Sequence, residues 1–155
     1  MNDLRDKVAF VTGASRGIGA AVARAFAAHG MKVGLVSRRG DDLGLSDALG
    51  IRCDVRDRAA VEDAVTQTVD RFGGLDVVVA NAGVGSYHPF LEVPPEHEEE
   101  MIDVNLKGTL YAIRSALPHL LARGQGDVVI VASEARMTTS PAPRSSRYGT
   151  PARTV

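Results

Sequence analysis

The sequence predicts an α/β protein built on a doubly wound parallel sheet. Three observations carry that expectation. Short runs of β-branched and apolar residues recur along the 155-residue chain, stretches with apolar residues at helical spacing lie between them, and glycine-rich or asparagine-containing turns follow several of the runs. Strands alternating with amphipathic helices join by right-handed crossovers, which demands a parallel sheet covered on both faces.

Val8 to Val11 reads as a fully covered strand ending at the turn-rich Thr12-Gly13-Ala14-Ser15. A helix follows, with Ile18, Val22, Ala25 and Phe26 as its apolar stripe and Gly30 placed to end it in a left-handed conformation. Val33 to Val36 is the second strand. Residues 40–50 are Gly/Asp-rich and weakly periodic, and Ile51-Arg52-Cys53 gives a very short third strand. Asp57 can cap a second helix whose stripe is Val61, Val65, Val69 and Phe72, stopped by Gly73-Gly74. Asp76 to Ala80 is a fourth strand. One long helix is expected from about Glu96 to Arg123, with Ile102, Leu106, Leu110, Ile113, Leu117 and Leu120 on one face and a bend at Pro118. Val128 to Val131 forms the last strand.

Composition narrows the function. With 45% hydrophobic and 24% charged residues, the chain resembles a globular protein and not a disordered one. The net charge of −1 offers no global field for nucleic acid or an anionic membrane, so neither partner is expected. No apolar stretch approaches the ~18 residues of a membrane span, and the start Met1-Asn2-Asp3-Leu4-Arg5-Asp6 lacks a signal-peptide core. The single cysteine, Cys53, cannot form an internal disulfide, which suits a reducing compartment; a cytoplasmic location is expected. The organisation divides at Arg136. Residues 1–135 form one organised domain holding 14 basic and 19 acidic groups, whereas residues 136–155 contain four arginines, no acid, and no leucine, isoleucine or phenylalanine. That tail has no apolar face to bury and reads as loop or disorder.

The chemistry-bearing residues stand just after the strands, where open α/β sheets bind ligands. Thr12-Gly13-Ala14-Ser15-Arg16-Gly17-Ile18-Gly19 places three glycines before a helix, allowing close backbone approach and offering unpaired N–H groups to a pyrophosphate. Taken alone, such a triplet also fits a plain tight turn. Asn81-Ala82-Gly83 follows the fourth strand, and Asp103-Val104-Asn105 lies in the long helix. Glu96 to Glu100 includes His97 among acids, but acids favour a first helical turn on dipole grounds, and no metal site is expected.

These motifs, in this order, resemble the short-chain dehydrogenase/reductase family, with T-G-x-x-x-G-I-G, N-A-G after the fourth strand and an asparagine in the next helix. The resemblance runs from about Lys7 to Ala135. It implies a Rossmann-type fold, incomplete in its C-terminal half, that binds a nicotinamide dinucleotide and moves hydride between it and an alcohol or carbonyl. By position, Thr12, Gly13, Ser15, Arg16, Gly17, Ile18 and Gly19 form the cofactor loop, Asp54 and Val55 border the adenine, and Asn81, Ala82 and Gly83 support the ribose and sheet edge. Ser133, at the end of the fifth strand, takes the place of the catalytic serine. Asn105 in the family opens the helix around a proton-relaying water; its alternative is a helix-interior polar residue facing solvent.

An acid after the second strand would bond the ribose 2′-hydroxyl of NAD, but Ser37-Arg38-Arg39 stands there. Arginine suits a 2′-phosphate through charge-assisted bonds, and Arg16 adds another cation, so NADP is expected over NAD. The alternative is that Arg38 and Arg39 are surface charges pairing with Asp41 and Asp42. The family also carries Tyr-x-x-x-Lys after the serine. Here the lysines are Lys7, Lys32 and Lys107, all upstream of Ser133, and Tyr148 is a nominal catalytic tyrosine with Ala152 four residues on. Two functions therefore stand from the sequence: an NADP-dependent oxidoreductase, or a catalytically inactive nucleotide-binding fragment. Members of the family are usually homo-oligomeric, and this chain is expected to lack part of that interface.

Overall fold

A computed structural model describes residues 4–86 and 89–132. Among them the chain runs β1 (Val8–Thr12), α1 (Gly17–Ala28), β2 (Lys32–Ser37), β3 (Ala48–Arg52), α2 (Arg58–Phe72) and β4 (Val77–Ala80). A 3-10 turn (Phe90–Glu92), α3 (Pro95–Met101), a π-helical segment (Ile102–Gly108), α4 (Thr109–Ala122) and β5 (Asp127–Ile130) follow. The strands form one parallel sheet in the order β3-β2-β1-β4-β5. The chain steps outward from β1 to β3, then crosses back to β4 on the other side of β1. That reversal opens a crevice beyond the carboxyl ends of β1 and β4.

Every residue of β1 is buried because both faces of the sheet are covered. Val8 and Phe10 join the α2/α4 side of the core with Val36, Val61, Val78 and Ala116. Ala9 and Val11 join the α1 side with Ala23, Met31, Leu35 and Val79. At the opposite end from the crevice, the buried Asp76 carboxylate accepts the Val8 N–H at 2.8 Å and lies 3.7 Å from Lys7 Nζ and 3.5 Å from Arg123 Nε. This ties β1, β4 and the end of α4 together. No helix among the described residues is long and apolar enough to cross a membrane.

Three local expectations need correction. The third strand runs Ala48–Arg52 and not 51–53, because Gly50 lets the 40–42 backbone lie against it: a Cβ there would sit 2.7 Å from the Asp41 carbonyl carbon. The helix after the glycine loop does not bury Ile18, which is 62% exposed, nor Ala25; Gly19 and Ala23 face the sheet, flanked by Val22 and Phe26. Finally, the helix expected from Glu96 to Arg123 is three consecutive segments. Its sheet-facing side is Val104, Gly108, Ala112, Ala116 and Leu120, small enough for close approach, whereas Ile102, Leu106, Leu110 and Leu117 are exposed. Of the expected stripe Leu120 is buried and Ile113 half-buried, while the other four are exposed, since residue size decides which side can pack closely.

Candidate nucleotide-binding site

The crevice is a cleft of about 320 Å³ at the carboxyl ends of the strands, and its first wall is the loop between β1 and α1. Gly13 adopts φ +66°, and a Cβ on it would lie 2.8 Å from Ala82 Cα. A Cβ on Gly19 would collide with the Gly13 carbonyl and the Asn81 amide. These two glycines pack the loop against the turn after β4. Gly17 differs: φ is +56°, but its Cβ position is empty space, so it serves the turn and leaves room in the cleft it lines.

Thr12 and Asn81 join the loop to the β4 turn. Thr12 Oγ1 accepts the N–H groups of Asn81 and Ala82, both at 3.0 Å, while Asn81 Nδ2 donates to the Thr12 carbonyl at 2.9 Å. Gly83 continues this wall. The N-terminus of α1 opens on the same space: Arg16 caps it by backbone position alone, with no side-chain hydrogen bond and no acid in the first turn. At α2, by contrast, Asp57 accepts the Ala60 N–H at 3.1 Å. An uncapped N-terminus with its partial positive charge facing a cleft fits an anionic group such as a pyrophosphate.

The far wall comes from the turns after β2 and β3. Arg39 is engaged, its Nε 2.8 Å from Asp41 and its Nη2 donating to the Ser15 carbonyl at 3.1 Å. The pairing expected as an alternative for both arginines therefore holds for Arg39. Arg38 and Arg16 line the cleft exposed, and no side-chain ion pair or hydrogen bond is found for either among the described residues. Asp54 is held by Arg56, whose Nε and Nη2 approach its carboxylate at 3.0 and 2.6 Å. That hydrogen bond, joined by the charge of Arg56 and more distantly Arg38, lowers the Asp54 pKa and keeps it ionised. Cys53 also lines the cleft, and burial, then the charge of Asp54, pushes its thiol up to about 11. It is a neutral, unreactive thiol at physiological pH.

Asn105 sits in the π-helical segment, where its Oδ1 accepts the Val84 N–H and its Nδ2 donates to the Val84 carbonyl, both at 2.8 Å. It is more than a solvated polar residue: it fastens the turn after β4 to the helix. The widened turn also brings Gly108 against Val55, whose Cγ2 would be 2.8 Å from a Cβ there. Val55 thus both lines the cleft and packs the helix. Sequence reasoning missed Arg56, Val84, Glu100 and Val104 as cleft residues. Arg56 was visible as the cation two places beyond Asp54; the other three reach the cleft through tertiary packing. Ser133 and Tyr148 lie outside the described residues.

The sequence pattern described as short chain dehydrogenase matches residues 7–151, beyond the region that carried the resemblance. The chain is 36% identical over 141 residues to oxidoreductase UcpA of Salmonella typhimurium, covering 86% of this chain and 54% of that protein. It is 43% identical over 141 residues to the glycine betaine reductase ATRR of Emericella nidulans, covering 85% of this chain and 11% of that one. Among solved structures, a short-chain type dehydrogenase/reductase from Mycobacterium marinum aligns with TM-score 0.79 at 33% identity, over 84% of this chain and 57% of the other. An alcohol dehydrogenase from Thermococcus sibiricus, complexed with 5-hydroxy-NADP, aligns with TM-score 0.75 at 37% identity, over 80% and 57%. The chain spans about half the length of most of these proteins. A glycine loop locked to the turn after the fourth strand, on a sheet of this order, agrees with those matches, and the chain belongs to the short chain dehydrogenase family.

Proposed function

We propose that this chain binds NADP(H) in the β1–β4 cleft and serves hydride transfer between that cofactor and an alcohol or carbonyl. One observation carries the cofactor choice: of the cations at the cleft, Arg39 is paired while Arg38 and Arg16 make no side-chain hydrogen bond or ion pair among the described residues. Unpaired guanidinium groups beside a cleft suit a doubly charged phosphate, which they can bond bidentately. The cavity, the uncapped α1 N-terminus and the open Cβ position of Gly17 fit a dinucleotide backbone. The relative from Thermococcus sibiricus is complexed with an NADP derivative, which supports the same choice.

In this reading the nicotinamide ring supplies the hydride chemistry when bound. Gly13, Ser15, Gly17, Ile18 and Gly19 hold the pyrophosphate, Arg38 and Arg16 hold the 2′-phosphate, and Asp54 and Val55 border the adenine. Asn81, Ala82 and Gly83 support the ribose side. Asn105 keeps the β4 turn in place beside the reacting end. Ser133 and Tyr148 are assigned substrate oxygen and proton exchange by position only.

A second reading is favoured by the sequence. Where the family carries Tyr-x-x-x-Lys, none of Tyr87, Tyr111 and Tyr148 has a lysine four residues on: Leu91, Ser115 and Ala152 stand there. The chain would then bind nucleotide without turnover. NADPH oxidation across a carbonyl panel separates the two readings.

The cofactor assignment is tested by Arg38→Asp, which exchanges a charge-assisted bond for repulsion. NADPH affinity should fall at least about ten-fold more than NADH affinity. Equal losses for both cofactors would refute the assignment.

A further inference from the structure

Arg56 is a cleft cation to which the cofactor assignment gives no duty. It lies in the turn between β3 and α2, where the Asp57 N–H bonds the Asp54 carbonyl at 3.0 Å and the buried Val55 packs inward. On either side of Val55, Asp54 and Arg56 both line the cleft and are partly exposed. Glu100 of α3 lines it too, with Oε1 3.9 Å from Arg56 Nη1. One guanidinium thus bridges two acids that belong to different elements.

The Asp54 carboxylate is engaged on both oxygens. Oδ1 accepts the Arg56 backbone N–H and Nε–H, each at 3.0 Å, and Oδ2 accepts Nε–H at 3.0 Å and Nη2–H at 2.6 Å. Two contacts on each oxygen use the carboxylate's capacity of about four lone-pair sites. The Glu100 contact runs through Nη1 and takes none of the nitrogens that hold Asp54, so Arg56 keeps both acids at once. Adenine presents its 6-amino group as a donor, and a carboxylate bordering the base is the natural acceptor for it. A neutral amino group competes poorly with a charge-assisted fork already in place.

We propose, on the reading that the cleft holds NADP(H), that Arg56 is a specificity-determining residue: by occupying Asp54 it withdraws the acceptor that would read the adenine 6-amino group. The site then takes nicotinamide purine dinucleotide phosphates whether or not the purine carries that group. Selection falls on the phosphate end, through Arg38 and Arg16, and not on the base. Replacing Arg56 by a side chain without donors reverses this, because it hands Oδ2 of Asp54 back to the base while the residue-56 backbone N–H still holds Oδ1 and the turn.

The probe is the NADPH analogue in which hydrogen replaces the adenine 6-amino group, which removes the donor and leaves the ring nitrogens and phosphates in place. Titrated with the full chain beside NADPH, it should bind the wild type within about three-fold of NADPH. Arg56→Met leaves two acids unpaired near the phosphates and weakens both ligands, but it should prefer NADPH by at least about ten-fold, as a hydrogen bond to a charged acceptor gives. Arg56→Lys keeps the charge without the fork and should fall between the two. Asp54→Ala added to Arg56→Met should return the ratio to the wild-type value, which locates the new preference at that carboxylate. The readout is a ratio of affinities, so a general loss of folded protein does not move it. A wild-type preference for NADPH beyond three-fold, as expected if the base draws Arg56 over to Glu100 and frees Asp54, would overturn the proposal while leaving the cofactor reading intact. So would an unchanged ratio in both Arg56 variants. Failure of the wild type to bind either dinucleotide removes the cofactor reading itself, and the proposal with it.

Discussion

β1 and β5 are built from similar residues and meet opposite fates. Val8–Thr12 is fully buried, paired by β2 and β4 and covered on both faces, whereas all four residues of Asp127–Ile130 are exposed despite three being β-branched or otherwise apolar. The difference comes from neighbours. At the centre of the sheet the same alternation of side chains feeds two core layers, and at the β5 edge it feeds a helix that turns its large side chains elsewhere. Burial here is a property of position in the sheet, and the hydrophobic run alone does not reveal it.

The sharpest way to break this comparison is to truncate both strands alike. Phe10→Ala should cost about 3–5 kcal/mol, because a fully buried ring leaves a cavity between α2 and the sheet. Ile130→Ala should cost under about 1 kcal/mol in the monomer, since half its surface is already wet. Urea unfolding of both variants checks this; comparable losses would show that β5 is covered after all.

Within the cleft, the glycines should separate in the same way. Gly19→Ala drives a methyl group into the Gly13 carbonyl and the Asn81 amide, so it should destabilise by about 1–3 kcal/mol and weaken nucleotide binding. Gly17→Ala meets no atom and carries only the strain of φ +56°, about 1 kcal/mol. A reversed order would contradict the assignment of Gly19 to packing and Gly17 to open space. Smaller still is the helix cap: Asp57→Ala should cost about 1 kcal/mol, with no such effect on replacing Arg16, which offers no side-chain cap.

The gentlest effect is in pH. Burial raises the Cys53 pKa to about 11 from 9.0, so above pH 9 the unfolded chain loses this proton before the folded one does. The stability this contributes is complete below pH 9 and declines as pH rises toward 11. Unfolding followed at pH 8.5 and 10.5 should therefore show a larger drop for the wild type than for Cys53→Ala. Equal drops would indicate that solvent already reaches the thiol.

The sequence made the centre legible and the periphery less so. Thr12 to Gly19 announced their turn because glycine takes the positive φ found at Gly13 and Gly17 with the least strain, and Asp57 announced its helix because its carboxylate can satisfy a free N–H. Asn81 was readable as part of the site, although its partner is the β1 loop 68 residues away. The long helix misled because Leu106, Leu110 and Leu117 outweigh Ala112 and Ala116 on any hydrophobic scale, while the sheet accepts only the smaller side. Within its π-helical turn Asn105 reaches the Val84 backbone, a contact that periodicity does not encode. Arg38 and Arg39 looked equivalent in sequence, and only the fold pairs one with Asp41 and leaves the other to the cleft.

The account rests most directly on the cleft being a working NADP site, and titration of the purified 155-residue chain with NADPH and NADH side by side tests it. The predicted result is saturable binding of one NADPH per chain, tighter than NADH by about ten-fold or more, about 1.4 kcal/mol. No saturable binding of either cofactor, or equal affinity for both, would contradict it.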